Sequence, residues 1–351
     1  MLDRAHVIRP VAALLALVVL VTGCGAGSGG SPSGEASSGS SPTTSGGTAF
    51  PVTIEHNYGS TEITAAPERI VTVGLMEQDA LLALGIVPIG TTEWFGEYEG
   101  AVWPWAQDEL GDAEPPTVVG DATSVNFEAI TAAEPDLILA IYAGITEEEY
   151  ATLSAIAPTV AQPADFVDYG VPWEELTRSV GAAVGMPDEA DALVADVEAG
   201  FEEARAEHPE FDGATAVVAT PYEGIYVYGP EDVRGRFLTA LGFELPADLV
   251  EVTGEEFGGN LSEERADMLD VDAIVWLDGA GVEGLGGPLY EGFDVHTEGR
   301  EVFLDSFNDP LGGATSFVTV LSLPYLLEGI VPMLAAAVDG DPATEVLPSG
   351  S

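Results

Sequence analysis

The sequence predicts an α/β fold in which two similar lobes are joined by one long helix. Strand-like and helix-like segments alternate from about residue 49 onward, which is typical of α/β layers rather than of a β-sandwich. The longest uninterrupted helical pattern lies near the middle of this region. A pattern of helix and strand on one side of that helix recurs on its other side.

The strand-like segments are short and rich in β-branched and aliphatic residues. The predicted strands are Arg69–Gly74, Val87–Glu93, Pro135–Tyr142, Thr215–Thr220, Ile225–Tyr228, Asp272–Asp278 and Glu301–Leu304. Two of them, in PDLILAIY and DAIVWLDG, are apolar almost without interruption, as expected of strands that are covered on both faces.

Two helical segments define the layout. Met76–Leu84 predicts a helix that ends at Gly85, a residue suited to a left-handed cap. Glu189–Glu207 repeats apolar residues at helical spacing, and Pro187 suits the start of a helix. A helix of this length spans about 30 Å, so we expect a rigid connection between the lobes over residues 187–208.

The internal repeat aligns VNFEAITAAEPDLILA, residues 125–140, with LSEERADMLDVDAIVW, residues 261–276, without gaps. Its matching positions are two predicted helix N-caps, two glutamates that follow them and two aspartates ahead of a strand: Asn126 and Ser262, Glu128 and Glu264, and Asp136 and Asp272. The repeat predicts lobes of similar construction, over residues 49–186 and 209–340.

The N-terminus predicts a lipoprotein. Two arginines precede an apolar run, Val11–Thr22, that is shorter than the roughly 20 residues a membrane-spanning helix needs but fits a secretory signal. The following Val-Thr-Gly-Cys resembles a bacterial lipobox, which implies cleavage after residue 23 and acylation of Cys24. Residues 24–48 are a Gly/Ser-rich linker with a reach of about 25–30 Å. We expect an extracytoplasmic protein that touches the cell membrane through its lipid alone, with a flexible tail over residues 341–351.

The charge excludes several functions. The sequence has sixty acidic residues and nine basic ones, all of them arginine, which gives a net charge of −51. Such a surface repels nucleic acid. Without lysine there is no Walker A nucleotide site and no Schiff base, and a single cysteine excludes an internal disulfide.

Several segments between residues 51 and 338 resemble, in the same order along the chain, the periplasmic binding proteins that serve ABC importers for ferric siderophores, haem and cobalamin. The segments are VTIEHNYGSTEITAAPERIVTVG, DALLALGIVPIGTTE, VGDATSVNFEAITAAEPDLILA, YATLSAIAPTV, FLTALGF and LSEERADMLDVDAIVWL. The resemblance implies Rossmann-like lobes with a ligand cleft between them and modest closure. It also implies a monomeric binding protein rather than an enzyme, with a ferric siderophore as transported ligand and no permanent cofactor.

The resemblance assigns docking to one exposed glutamate on each lobe. Glu128 and Glu264 hold these positions and are predicted to meet arginines of a permease dimer, setting register and encounter rate more than affinity. The alternative is that both acids only complement a helix dipole.

Candidate ligand contacts follow the strands. Trp94, Trp103 and Trp105 lie in the aromatic segment TTEWFGEYEGAVWPWAQDEL, where flat rings suit a bulky chelate, although a small core beneath a loop is the alternative. The other candidates lie where the resemblance places the ligand or are scarce cations suited to acidic groups: Tyr142, Tyr222, Phe307, Asn308, Arg234 and Arg236. For the two arginines, neutralisation of neighbouring acids is the alternative.

No direct metal site is predicted, because the histidines are scattered and no EF-hand loop is present. Haem or a corrinoid stays open as cargo. With so few cations, a neutral or cationic hydroxamate chelate is easier to hold than an anionic catecholate. An anchored hydrolase is disfavoured by the absence of a GxSxG motif, and an adhesive surface protein by the absence of longer repeats.

Overall fold

Two five-stranded sheets organise the chain, one on each side of a 21-residue helix along the sequence. The structure, a computed structural model, describes residues 50–346 apart from 255 and 283. The predicted signal peptide, Cys24, the whole predicted linker and the last residues of the predicted tail lie outside these residues. We call the halves around the two sheets the N-terminal and C-terminal lobes. The domain boundaries within the chain stay a prediction.

The N-terminal sheet is parallel throughout and has the order β5-β4-β3-β6-β7. A separate antiparallel hairpin, β1-β2, precedes it. The strands of this lobe are β1 Val52–His56, β2 Gly59–Ile63, β3 Ile70–Thr72, β4 Gly90–Glu93, β5 Thr117–Asp121, β6 Leu137–Ala140 and β7 Thr159–Ala161. Buried β6 is apolar at every position and pairs with β3 in the middle of the sheet, as the apolar run in the sequence predicted.

The C-terminal sheet is mixed and has the order β10-β9-β8-β11-β12. Its strands are β8 Ala216–Thr220, β9 Ile225–Tyr228, β10 Gly258–Leu261, β11 Ala273–Leu277 and β12 Glu301–Leu304. Strands β8, β11 and β12 run parallel, whereas β9 and β10 join as antiparallel neighbours. All seven predicted strands are confirmed within a few residues, and β1, β2, β5, β7 and β10 were not among those seven.

Helices cover the sheets and connect them. They are α1 Glu77–Ala83, α2 Gln107–Leu110, α3 Phe127–Ala133, α4 Glu147–Ser154, α5 Trp173–Ala183, α6 Pro187–Glu207, α7 Val233–Ala240, α8 Leu249–Thr253, α9 Gly287–Tyr290, α10 Asp294–Thr297, α11 Pro310–Ala314 and α12 Ser322–Ala337. Helix α6 is the predicted long helix, with Pro187 at its start. It packs against α5 and α12, so helices from both sides brace the connection.

The internal repeat has a structural counterpart at the base of each sheet. The carboxylate of Asp136 accepts hydrogen bonds from the amides of Glu68 and Arg69, just before β3, at 2.9 and 2.8 Å. Asp272 accepts from the amide of Thr215, just before β8, at 2.8 Å. Each aspartate therefore ties the start of its own strand to the central neighbouring strand.

The caps of the repeat differ between the lobes. Asn126 caps α3, and its side chain accepts a hydrogen bond from the amide of Ala129 at 3.1 Å, as predicted. Ser262 precedes a 3₁₀ helix, Glu263–Leu269, and makes no side-chain capping bond. The tighter 3₁₀ winding changes the amide directions that such a cap requires. Within the described part of the chain, no helix is both long and apolar enough to cross a membrane.

Candidate ligand-binding cleft

A cavity of about 300 Å³ lies between the lobes. Its N-terminal wall comes from residues that follow the carboxyl ends of parallel strands, where α/β sheets commonly bind ligands. Its C-terminal wall comes from the start of α7 and from two loops. The lining residues are Leu75, Trp94, Ala122, Tyr142, Tyr169, Asp232, Val233, Arg234, Phe257 and Ser316. Three of the predicted ligand contacts are therefore brought together here: Trp94, Tyr142 and Arg234.

Arg234 is the cation of this cavity. Its Nη1 donates to Asp232 at 3.1 Å, its Nη2 donates to the hydroxyl of Ser316 at 2.6 Å, and the guanidinium lies 4.2 Å from the ring centre of Tyr228. Burial is the largest single influence and lowers the pKa of Arg234, but the charge of Asp232, the hydrogen bond to it and the neighbouring Tyr228 and Tyr142 together outweigh burial, so the net pKa is raised. The group stays charged, and its charge is balanced within the wall.

One donor of Arg234 is left over. Its Nε is buried and has no hydrogen-bond partner among the described residues. A buried donor without an acceptor costs about 1–3 kcal/mol. Because this atom has almost no surface open to the cavity, an acceptor oxygen on a bound ligand would reach it, and remove this cost, when the side chain or the lobes shift.

Aromatic rings form the opposite wall. Tyr142 is buried and meets Tyr169 edge to face, with ring centres 5.7 Å apart. Burial is the main cause that raises the pKa of both phenols, so they present neutral hydroxyl groups. Trp94 completes this wall and packs against Phe317 of the C-terminal lobe at 5.1 Å. The arrangement offers flat apolar surface and neutral donors.

Trp103 and Trp105 lie behind the wall instead of on it. Their rings stack 4.7 Å apart, and both contact Phe317. Trp103 is only 1% exposed, and neither residue lines the cavity. Their placement favours the alternative of a small core beneath the loop over direct ligand contact.

This aromatic core includes a hydrogen-bonded contact between the lobes. The buried carboxylate of Asp79, on α1, accepts hydrogen bonds from Nε1 of Trp105 at 2.8 Å and from Oγ1 of Thr319 at 2.6 Å. Thr319 belongs to the C-terminal lobe. Burial raises the pKa of Asp79 to about 6, although both hydrogen bonds lower it.

The remaining predicted contacts lie outside the cavity. Arg236 donates from Nη1 to the carbonyl of Gly170 at 3.3 Å and lines a separate cavity of about 270 Å³. Tyr222 and Phe307 are each 62% exposed, and the ring of Phe307 meets that of Phe95 with ring centres 5.4 Å apart. Asn308 donates to Asp305. The structure does not bring these four residues together with Trp94, Tyr142 and Arg234.

Glu128 and Glu264 are both exposed, each as the second residue of its helix. Their role in docking stays a prediction. Among residues 50–346 outside the two gaps, no three His, Cys, Asp or Glu side chains gather in a way that could hold a metal ion.

Seven of the ten lining residues were not identified from the sequence, and four of these seven have polar or aromatic side chains: Tyr169, Asp232, Phe257 and Ser316. Asp232 could have been identified from the sequence, because an aspartate directly before a helical segment is a typical N-cap. In the structure it precedes α7, and its carboxylate accepts a hydrogen bond from the amide of Arg234. The other three of these four lie in loops without a pattern that marks them.

The comparisons with known proteins agree with this geometry. Residues 70–291 match the family model described as Periplasmic binding protein. The probable siderophore-binding lipoprotein YfiY of Bacillus subtilis is 29% identical over 233 residues, which cover 64% of this chain and 68% of YfiY.

Two solved structures have the same fold. A periplasmic solute binding protein from Mycobacterium smegmatis is 33% identical, with a TM-score of 0.71 over 82% of this chain and 98% of that one. PiaA of Streptococcus pneumoniae, solved in complex with ferrichrome, is 29% identical, with a TM-score of 0.70 and the same coverage.

The chain therefore belongs to the periplasmic binding protein family. This membership confirms the resemblance found in the sequence and the prediction of two α/β lobes joined by a long helix. The relatives are substrate-binding proteins, and this chain is likewise a binding protein rather than an enzyme.

Proposed function

We propose that this chain captures a ferric siderophore between its lobes and delivers it to the permease of an ABC importer. The observation that carries the proposal is the composition of the interlobe cavity. Two neutral phenols and an indole face a charge-balanced Asp232–Arg234 pair that keeps one buried donor free. Such a surface suits a bulky chelate with carbonyl or hydroxamate oxygens.

The charge balance favours a neutral chelate. Asp232 and Arg234 are the two charged side chains among the described residues that line the cavity, and they pair with each other. A ferric trihydroxamate is neutral, because three hydroxamate anions balance the ferric ion. A ferric tris-catecholate is strongly anionic and would meet no unpaired cation there. The ferrichrome bound to PiaA supports this class of cargo, and the name of YfiY supports siderophore binding in general.

The cavity volume also implies a small opening of the lobes. About 300 Å³ lies at the lower end of the range for small-molecule sites, about 300–1,000 Å³. A bulky chelate therefore enters when the lobes separate slightly. The helical connection through α6 limits such motion to a modest change.

Delivery and anchoring complete the proposal. Exposed Glu128 and Glu264, one on each lobe, would meet arginines on a permease dimer. Acylated Cys24 would hold the protein at the extracytoplasmic face of the cell membrane, with the linker giving the lobes freedom to reach the permease. The lipoprotein name of YfiY supports this location.

Tryptophan fluorescence tests the cargo. The chain from residue 24 onward, carrying Cys24→Ser, is titrated with ferrichrome, a ferric tris-catecholate, haemin and cobalamin. We expect saturable one-to-one quenching with ferrichrome and at least tenfold weaker binding of the tris-catecholate. Preference for haemin or cobalamin would assign the same receptor role to a different cargo. Absence of binding by all four would contradict the proposal.

Arg234→Lys tests the site itself. The substitution keeps the charge but removes the free Nε and the forked donor geometry. We expect ferrichrome to bind about tenfold more weakly, an effect of about 1.4 kcal/mol. Arg178→Lys is the matched control, because Arg178 is exposed, pairs with Asp191 and does not line the cavity. Equal affinity of the two variants would exclude Arg234 from the ligand site.

A further inference from the structure

A fully buried carboxylate lies directly behind the wall of the cleft. Glu77 is the first residue of α1 and has no exposed surface. Its Oε1 accepts hydrogen bonds from the backbone amides of Ile141 and Tyr142, at 2.6 and 2.8 Å. Its Oε2 accepts from the amide of Met76 at 3.2 Å. The carboxylate therefore accepts its hydrogen bonds from backbone amides.

The local sequence makes room for this carboxylate. A Cβ atom at Gly74 would lie 1.9 Å from Oε1 and 2.1 Å from Oε2 of Glu77. The backbone of Gly74 is not in the left-handed region, so space and not conformation requires glycine here. Because Glu77 is enclosed, its carboxylate cannot yield to a methyl group without losing its hydrogen bonds.

The two amides that share Oε1 mark the point where the chain leaves the sheet. Successive amides of a strand point in opposite directions, so two neighbours converge on one oxygen only where the strand has ended. Strand β6 ends at Ala140, and Ile141 and Tyr142 follow it directly. The carbonyl of Tyr142 also accepts from the amide of Leu75 at 3.2 Å. These bonds fix the backbone that carries the Tyr142 ring into the cavity wall.

We propose that Glu77 is a positioning residue of the ligand site, whose carboxylate holds the turn after β6 so that the ring of Tyr142 forms the cavity wall. The inference rests on the proposed function, since it takes this cavity as the cargo site. Glu77 itself does not line the cavity and acts through Tyr142.

Two substitutions disturb the hydrogen bonds between the Glu77 carboxylate and the turn after β6, one by changing the carboxylate and the other by crowding it. Glu77→Gln keeps an oxygen for the two amides but places an NH₂ group against the amide of Met76. Gly74→Ala leaves Glu77 unchanged and forces its carboxylate away. We expect each variant to bind ferrichrome about tenfold more weakly. Gly74→Ala carries the test if Glu77→Gln does not yield folded protein.

Matched controls separate positioning from general damage. Glu202→Gln alters an exposed glutamate of α6, and Gly200→Ala adds a methyl group 3.4 Å from Leu327, an ordinary contact. Both controls should bind ferrichrome within twofold of the parent chain. Binding is measured in buffer without denaturant. Separate urea titrations establish that every variant is folded under that condition. A loss of stability alone therefore does not lower the measured affinity.

A double-mutant cycle tests whether Glu77 acts through Tyr142. In a Tyr142→Leu background the ring to be positioned is absent, so Glu77→Gln should cost less than about twofold in affinity. An equal tenfold loss in both backgrounds, or no loss in either, would overturn the inference.

Hydrogen exchange gives a readout that needs no cargo. The amides of Ile141 and Tyr142 should exchange slowly in the parent chain and at least tenfold faster in Glu77→Gln and Gly74→Ala, with the controls unchanged. Unchanged exchange in both variants would overturn the inference. If the parent chain binds no ferrichrome while these amides behave as expected, the proposed cargo fails and the positioning of the Tyr142 turn stands.

Discussion

Replacing Asp79 by asparagine should remove a pH dependence from the contact between the lobes. The carboxylate is buried and accepts from Trp105 and Thr319, and an asparagine carbonyl can accept the same two hydrogen bonds. What changes is the ability to ionise. The pKa of Asp79 is about 6 in the folded protein, against an ordinary value of 3.8.

The direction and size of the change in the free energy of unfolding with pH follow from these two pKa values. Because the folded state holds the proton more tightly than the unfolded state, the protonated form stabilises the fold, and this contribution is lost as the pH rises through about 6. Between pH 5.0 and pH 7.5 the loss amounts to about 1.4 kcal/mol. Nearby Glu109 acts in the same direction, since its charge also raises the pKa of Asp79.

Urea unfolding followed by tryptophan fluorescence measures the effect. The free energy of unfolding is determined for the parent chain and for Asp79→Asn at pH 5.0 and 7.5. The difference, parent minus variant, should be about 1.4 kcal/mol larger at pH 5.0. Asp108→Asn, at an exposed position in the aromatic segment that also contains Trp105, controls for the loss of one negative charge. A parent-minus-variant difference that stays constant between the two pH values would refute the reasoning.

Three further predictions concern docking, anchoring and the repeat. Reversing both charges with Glu128→Arg and Glu264→Arg should abolish cellular uptake of ferrichrome iron while affinity stays within twofold; a loss of affinity would instead place these carboxylates in the ligand site. Cys24→Ser should release the protein from membranes into the soluble fraction on cell fractionation, and retention would refute a lipid anchor at this residue. Asp136→Asn and Asp272→Asn should each lower the free energy of unfolding by about 1 kcal/mol in urea titrations, and an effect confined to one lobe would contradict their equivalence.

Two of the strands that the sequence predicted share one property. The segments of β6 and β11 are buried apolar runs, and burial on both faces leaves a pattern that local composition records. Two of the strands that were not predicted have no such run of four or five apolar residues. Strand β10 reads GGNL and β7 has only three residues; their strand character comes from pairing with neighbours distant in sequence.

The cleft was predicted in part for a similar reason. Trp94 and Tyr142 each follow a parallel strand, and chain order is enough to place such positions at the ligand edge. The neighbouring Trp103 and Trp105 could not be distinguished from Trp94, because tertiary contacts decide which rings are covered. Phe317, from the other lobe, contacts all three rings, and Trp103 and Trp105 also stack on each other. The sequence shows an aromatic segment but not which side of it faces solvent.

The two arginines of α7 show the limit of spacing arguments. Arg234 and Arg236 are two residues apart, and such side chains point to nearly opposite sides of a helix. Arg234 accordingly lines the interlobe cavity, whereas Arg236 lines a separate one. Their scarcity made both residues candidates, and of the two only Arg234 lines the interlobe cavity.

The position of iron in a crystal of the complex tests the central claim most directly. Crystals grown with ferrichrome give an anomalous signal at the iron absorption edge that locates the metal independently of the protein. The account predicts one strong peak between the lobes, bounded by Trp94, Tyr142 and Arg234. A peak outside this cavity, with the cavity itself empty, would contradict it.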